Sequence, residues 1–134
     1  MSGVLTPAQY AGGGGFTLQS FTPPAGTALV NGTPTILTWT APADGKQHRV
    51  LIFAELNVTV AETGGQVTAS VTTPSGNVDA KQVFAAGQGV GVVTPVAASF
   101  PQIRMVQAGG TVSLFQNSPL TAGAATVWGE LWAT

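Results

Sequence analysis

The sequence predicts an all-β domain, either a sandwich or a barrel. Short runs rich in β-branched and aromatic residues recur from Phe16 onward, and clusters of Gly, Pro, Asn and Asp separate them. No stretch shows the period of an amphipathic helix. The length of 134 residues suits one domain with one hydrophobic core. We therefore expect a single β domain over residues 16–134, preceded by an arm over residues 1–15.

Each predicted strand is a run of this kind with turn residues on either side. Alternation is clearest where Val67, Ala69 and Val71 share one face and polar residues the other. Dipeptides that favour positive φ angles separate the runs, and they are Asn31-Gly32, Asp44-Gly45, Gly64-Gly65, Ser75-Gly76 and Gly109-Gly110. The predicted strands, eight or nine in number, are residues 16–22, 35–42, 48–61, 66–73, 79–86, 89–97, 102–107, 111–117 and 124–133.

Two of the predicted strands are apolar on both faces. In residues 48–61, Leu51 and Phe53 interrupt a face that is otherwise polar, and in the last strand Trp128 and Trp132 alternate with aliphatic residues. Burying a large aromatic side chain stabilises a fold by roughly 2–3 kcal/mol. We expect another subunit or a folded-back loop to cover these side chains. The alternative is that the tryptophans cover a sheet edge in a monomer. The predicted interface residues are Leu51, Phe53, Trp128, Glu130 and Trp132.

The composition argues against several classes of partner. Charged residues make up 7% of the chain and the formal net charge is −1, so the protein exerts little attraction on nucleic acids or anionic membranes. Without Cys there is no disulfide framework and no thiolate chemistry. A nearly neutral surface promotes self-association, which suits a protein that works inside an assembly.

The arm over residues 1–15 contains an aromatic residue, Tyr10, and ends in consecutive glycines with great backbone freedom. These glycines are Gly12, Gly13, Gly14 and Gly15. We expect the arm to be flexible or to dock on a neighbouring subunit. It lacks a signal-peptide pattern, and no later run approaches the ~18 apolar residues of a membrane span, so we expect synthesis in the cytoplasm without export.

Residues suited to catalysis or metal binding are sparse. The one histidine, His48, follows a turn, and we expect a surface imidazole there. Glu55 and Glu130 lie among apolar neighbours, where an ion pair with Arg49, Arg104 or Lys81 is a better interpretation than paired catalytic carboxylates. We therefore predict no enzymatic activity, no cofactor and no metal site.

Three segments are similar to one known family. Residues 38–45 (TWTAPADG), followed by a long apolar strand, resemble the early strands of complement-globular-head and tumour-necrosis-factor-like jelly rolls. Residues 106–114 look like the family's penultimate strand, with Gly110 where the family usually has Asp, and residues 128–131 look like its last strand. The resemblance covers most of residues 35–133. It implies an antiparallel jelly-roll β-sandwich that assembles as a homotrimer.

Two functions remain open at this point. The first is a structural virion protein, a trimeric decoration (cement) protein of a bacteriophage head whose partner is the major capsid protein of the shell; trimers match the three-fold positions of such a lattice. The second is a receptor- or glycan-binding module of a tail fibre or spike, with Tyr10, Phe100 and the segment Phe115-Gln116-Asn117 as candidate contacts. An enzyme that uses His48 as a base is a third alternative.

Overall fold

The computed structural model of the chain describes residues 15–60, 65–84, 95–97 and 102–134, and this part is all-β. Its strands are β1 (Thr17–Phe21), β2 (Thr27–Ala28), β3 (Thr35–Thr40), β4 (His48–Val58), β5 (Val67–Thr72), β6 (Val78–Phe84), β7 (Pro95–Ala97), β8 (Gln102–Val106), β9 (Thr111–Gln116) and β10 (Ala125–Ala133). All the strand pairs are antiparallel, and the predicted all-β antiparallel sandwich is confirmed.

The strands form two sheets. In the six-stranded sheet, β10 lies between β4 on one side and β1 and β2 on the other, while β7 and β8 pair with the far edge of β4. The four-stranded sheet has the order β3-β9-β5-β6. Most consecutive strands of the described residues therefore lie in opposite sheets, so the chain crosses repeatedly between the two layers of the sandwich.

The core lies between the two sheets. Alternation along β4 and β10 directs Val50, Ile52 and Leu131 inward, where they are almost completely buried. At Gly129 of β10 the sheets approach closely, because a Cβ placed there would lie 3.0 Å from Leu114 Cδ2 and meet Leu37 Cδ1 at 3.3 Å. Both leucines belong to the opposite sheet, so a side chain at position 129 would push the sheets apart.

Arg104 joins the two sheets along one edge. It points inward from β8, and its Nη1 donates a 2.9 Å hydrogen bond to the main-chain oxygen of Ala69 on β5. Its Nη2 donates to a carboxylate oxygen of Asp79 on β6, also at 2.9 Å. At this edge a guanidinium occupies space that apolar side chains fill elsewhere in the core. Its hydrogen-bond donors find acceptors on two strands of the other sheet.

Some sequence predictions need correction or lie outside the described residues. The two-residue strand β2 was not predicted, because so short a pairing in a segment of Pro and Gly produces no alternation. Positive φ angles are confirmed at Gly45, Gly65, Gly76 and Gly109. At Gly32 that prediction is wrong, and its N–H instead donates to the Val30 oxygen at 2.8 Å. Of the predicted strand over residues 89–97, the structure describes only Pro95–Ala97.

Candidate functional site on the outer face of the six-stranded sheet

The candidate site is the side of the six-stranded sheet that faces away from the core, here called the outer face. The register places Trp132 of β10 beside Leu51 of β4. Leu18 of β1 pairs with Trp132 from one side, and Ile103 of β8 pairs with Leu51 from the other. The described side chains on the outer face include those of Leu18, Phe21, Arg49, Leu51, Phe53, Glu55, Ile103, Met105, Trp128, Glu130 and Trp132.

An apolar row formed by Leu18, Trp132, Leu51 and Ile103 crosses the sheet from edge to edge. Its centre is closed, since Leu51 is only 7% exposed between its two cross-strand neighbours. The expectation that something outside the sheet must cover Leu51 is therefore wrong for this residue. The ends of the row are open: Ile103 is 66% exposed and Leu18 is 37% exposed. The apolar surface available to a partner thus lies toward the edge strands.

A loop of the same chain covers Trp128. Residues 22–26 connect β1 to β2 and are here called the strap. The indole Nε1 of Trp128 donates a 2.9 Å hydrogen bond to the main-chain oxygen of Pro24. A Cβ on Gly26 would lie 2.8 Å from Trp128 Cε2, so the strap passes directly over the ring. A folded-back loop, one of the two covers that the sequence predicts, therefore shields part of this tryptophan.

An open groove of about 660 Å³ lies beside the strap on the outer face. Its apolar walls include Phe21, Phe53 and Trp128, and the carboxyl-bearing residues Glu55 and Glu130 also line it. Phe21 is 61% exposed, and Phe53 is half-buried. The groove combines aromatic surface with acidic groups, so it suits a partner that brings apolar surface together with hydrogen-bond donors or a positive charge.

Charged groups on the outer face are few. Arg49 lies toward one end of β4 and Glu55 toward the other, with Leu51 and Phe53 between them on the same face. Glu130 lies beside Phe53 in the register, and one of its carboxylate oxygens accepts a 2.7 Å hydrogen bond from Trp132 Nε1. Both glutamates are exposed.

Apart from the contact between His48 and Asp44, the ion pairs of the described residues centre on Asp79 of the four-stranded sheet. Arg104 and Lys81 both pair with Asp79, at 2.9 Å and 3.2 Å. The prediction that these two cations serve Glu55 or Glu130 is therefore wrong within the chain, because Arg104 points into the sandwich and Lys81 belongs to the four-stranded sheet. The hydrogen bond from Lys81 and the nearby charge of Arg104 lower the pKa of Asp79.

His48 is buried rather than on the surface, so the predicted surface imidazole is wrong. Its Nδ1 lies 2.7 Å from the main-chain oxygen of Thr134, and its Nε2 lies 3.1 Å from a carboxylate oxygen of Asp44. The hydrogen bond to Thr134, followed by that to Asp44, raises the pKa of His48. Trp39 packs edge-on against the imidazole, with ring centroids 6.1 Å apart. With both ring nitrogens engaged, the imidazole holds segments of the fold together.

Gln116 was predicted as a glycan contact, but its side chain instead holds a loop of the fold in place. It is fully buried at the end of β9. Its Nε2 donates to the main-chain oxygens of Val30 and Ser118, at 2.7 and 2.9 Å, and its Oε1 accepts from the Val30 N–H at 3.1 Å. The prediction that Gln116 contacts a ligand is wrong, because every polar atom of its amide already serves a loop. Of its neighbours, Phe115 is half-buried and Asn117 is exposed.

Several other predicted site residues lie outside the described part of the chain. They are Tyr10, Gly12, Gly13, Gly14 and Phe100. Gly15 is described and has a positive φ of 64°, and it leads directly to the buried Phe16.

Exposed residues on the edge strands were missed by sequence reasoning. β8 alternates apolar and polar residues, and that pattern favours Ile103 and Met105 as core residues. The opposite is found, because Arg104 turns inward to reach the other sheet. On β1, a register shift between Leu18 and Ser20 breaks the alternation that would have marked Leu18 and Phe21 as one face.

Within the described ranges, no group of three or more His, Cys, Asp or Glu is placed to hold a metal ion. The same ranges contain no helix long and apolar enough to cross a membrane. No protein-family model, curated protein or solved structure matches the chain.

Proposed function

We propose that this chain is a non-enzymatic structural protein that associates with copies of itself through the outer face, forms a homotrimer and decorates the shell of a virus, where the major capsid protein is its partner. The observation that carries the proposal is the outer face itself. Exposed apolar side chains lie at both edges of one sheet, on a chain with very little charge to keep copies apart.

The position of the exposed apolar residues supports a protein partner. Ile103 and Met105 lie on β8, Leu18 and Phe21 lie on β1, and the half-buried Trp132 lies between them. Large apolar residues scattered singly are normal on any surface, whereas several on one sheet face are typical of an interface. Covering such a set supplies the hydrophobic free energy that holds subunits together.

The viral setting rests on further observations from the sequence. A low charge, an absence of Cys and a Gly-rich arm suit a protein that is stabilised by its neighbours in an assembly. A trimer would match the three-fold positions of an icosahedral lattice. Binding of the purified protein to shells that lack it, measured by co-sedimentation, tests this part; a protein that forms trimers but never sediments with shells would contradict it.

The self-association is tested by substituting an exposed apolar residue of the outer face. We expect Ile103→Ser to shift the molar mass, measured by light scattering, from trimer toward monomer, because the change removes apolar surface that a partner would cover. Since Ile103 is 66% exposed, the fold of a single chain loses little.

The matched control is Val78→Ser. Val78 is 73% exposed on β6, in the four-stranded sheet, and so is an equally open apolar residue away from the outer face. We expect it to leave the mass unchanged. A wild-type chain that is monomeric at high concentration, or equal masses for wild type and Ile103→Ser, would contradict the proposed assembly.

The groove supports a second candidate function, that of a receptor- or glycan-binding module. Its aromatic walls and adjacent carboxylates resemble the surfaces on which sugars stack and hydrogen-bond. This function needs the groove open, whereas assembly through the outer face closes at least part of it. Saturable binding of an oligosaccharide by a monomeric wild-type chain, lost in Phe21→Ser, would favour the binding module over the assembly.

A further inference from the structure

We propose that Arg49 of one copy pairs with Glu55 of a neighbouring copy across the interface formed by the outer face. This inference rests on the proposed self-association, and it adds the contact that sets how two copies are aligned. It concerns charged residues that the fold of a single chain does not use.

The distribution of charge leads to these two residues. The chain contains four Lys and Arg in all. Two of them, Lys81 and Arg104, pair with Asp79 in the sandwich. Lys46 lies in the turn before β4, so Arg49 is the cation of the outer face. Among the described residues it forms no ion pair.

The acidic residues divide in the same way. Asp44 pairs with His48, and Asp79 pairs with Arg104. Of the acidic residues that the structure describes, this leaves Glu55 and Glu130, which lie on the outer face and line the groove. Glu130 already accepts a hydrogen bond from the indole of Trp132. Glu55 has no such donor in the described part of the chain, which makes it the acceptor best suited to a cation from outside.

Arg49 and Glu55 cannot pair within one chain. They are six positions apart on β4, and at about 3.3 Å per residue this separates their Cα atoms by about 20 Å. Extended side chains of Arg and Glu together fall short of that distance. Each charge is therefore available to a partner, and a partner that covered the face without supplying an opposite charge would leave it desolvated and unpaired, which is strongly unfavourable.

The order of residues on β4 is complementary to itself. Along the outer face the strand presents a cation, two apolar residues and a carboxylate, which are Arg49, Leu51, Phe53 and Glu55. In a two-fold contact, a neighbouring copy that runs in the opposite direction places its Arg49 opposite Glu55. In the proposed trimer the contacts are heterologous instead, so the Arg49 end of one copy meets the Glu55 end of the next, once at each interface. Pairing of this kind selects the alignment of the copies more than it adds affinity.

A charge-exchange experiment tests the pair on the full chain. Arg49→Glu and Glu55→Arg, each alone, place like charges opposite one another, and we expect each to weaken self-association about tenfold or more, measured as the concentration at which the light-scattering mass falls by half. The double variant restores opposite charges with the partners exchanged, and we expect it to recover most of the loss. Lys46→Glu, which makes the same change in net charge in the turn before β4, is the control and should have little effect.

The outcomes separate this inference from the proposed function. A wild-type oligomer that tolerates both single variants, or a double variant that is no better than the singles, would overturn the pair and leave the self-association standing. A monomeric wild type would overturn both. Circular dichroism of each variant establishes that the β fold is retained. A lower molar mass then shows a loss of self-association and not unfolding.

Discussion

At the scale of single residues, His48 connects three segments at one end of the sandwich. It lies at the start of β4 and contacts both the preceding turn, through Asp44, and the residue after β10, Thr134. The hydrogen bond to Thr134 raises the pKa of His48 above its ordinary value of about 6.5. A protonated imidazole donates both hydrogen bonds, whereas a neutral one donates a single hydrogen bond, so protonation strengthens this contact.

The raised pKa predicts a dependence of stability on pH. A group whose pKa is raised in the folded state contributes stability that is fully present below the pKa of the unfolded chain and is lost as the pH rises through the folded pKa. We therefore expect the urea midpoint of the wild-type chain to fall as the pH rises above about 6.5, the ordinary pKa of His, and through the raised pKa of His48. In His48→Gln this fall should be absent, since the chain has a single His.

Asp44→Asn distinguishes the two contacts of the imidazole. It removes the smaller of the two hydrogen-bonding causes and keeps the larger, Thr134, so the fall in the urea midpoint should shrink but persist. An unchanged dependence in His48→Gln would show that the pH effect arises elsewhere in the chain.

The sequence alone could not identify this role of His48. A histidine between a turn and a strand predicts an exposed side chain, and the residue whose main-chain oxygen binds its Nδ1, Thr134, lies 86 positions away. The same limit applies to Gln116, whose amide binds the loop at Val30 across an equally long separation. Long-range hydrogen bonds of single side chains leave no periodic pattern, which is why both residues were misjudged.

At the scale of elements, the strap shows how a short loop shapes the outer face. Gly26 has a φ of 77°, and its missing side chain allows the loop to lie on Trp128 and Thr126. The strap forms one wall of the groove through Pro23 and Pro24. The position of this loop therefore decides how much of Trp128 a partner can reach.

Gly26→Ala is expected to displace the strap. The Cβ of an alanine at this position would lie 2.5 Å from Thr126 Cγ2, which is a steric clash. The alanine would also have to adopt a left-handed φ, which strains its backbone. We expect a loss of about 1–3 kcal/mol in the free energy of unfolding, measured by urea denaturation, and a red shift of tryptophan fluorescence as Trp128 becomes exposed.

Gly45→Ala is the matched control. Gly45 has a similar φ of 74°, but a Cβ there meets no atom within 4 Å. It should therefore cost only the backbone strain and leave the fluorescence of Trp128 unchanged. Equal effects of the two substitutions would mean that contact with Trp128 contributes nothing beyond that strain.

The sequence predicted the strands better than it predicted the roles of single residues. The long strand β4 and the last strand β10 were predicted from alternation, and the apolar outer side of β10 correctly indicated that a loop covers Trp128. What covers Trp128 could not be predicted, because the strap contains Pro and Gly and has no regular pattern. The orientation of β8 was also beyond prediction, since it depends on Arg104 reaching acceptors in the other sheet.

At the scale of the whole molecule, the proposed association through the outer face would link stability to protein concentration. If folded copies associate, association withdraws them from the unfolding equilibrium and raises the apparent Tm as the concentration increases. A monomer gains nothing in this way. The contrast separates a protein that works alone from one that works in an assembly.

We expect the Tm of the wild-type chain, measured by scanning calorimetry, to rise over a hundredfold range of concentration. In Ile103→Ser the Tm should be lower and nearly independent of concentration, because the edge of the outer face no longer drives association. The Val78→Ser variant should follow the wild type. A wild-type Tm that stays constant over the whole range would argue for a monomer and for the binding-module function.

The pairing of β1 with β10 has a consequence for how the chain reaches its fold. Thr22 and Gly129, which share a hydrogen bond beside this pairing, lie 107 positions apart, so the six-stranded sheet brings together distant parts of the polypeptide. Closing so large a loop costs entropy before the contacts that reward it exist, and domains of this kind fold in milliseconds to seconds rather than microseconds. Until β10 is in place, the apolar edges of β4 and β1 are open to strands of other chains. Slow docking of β10 would therefore prolong the exposure of these edges and favour aggregation over folding.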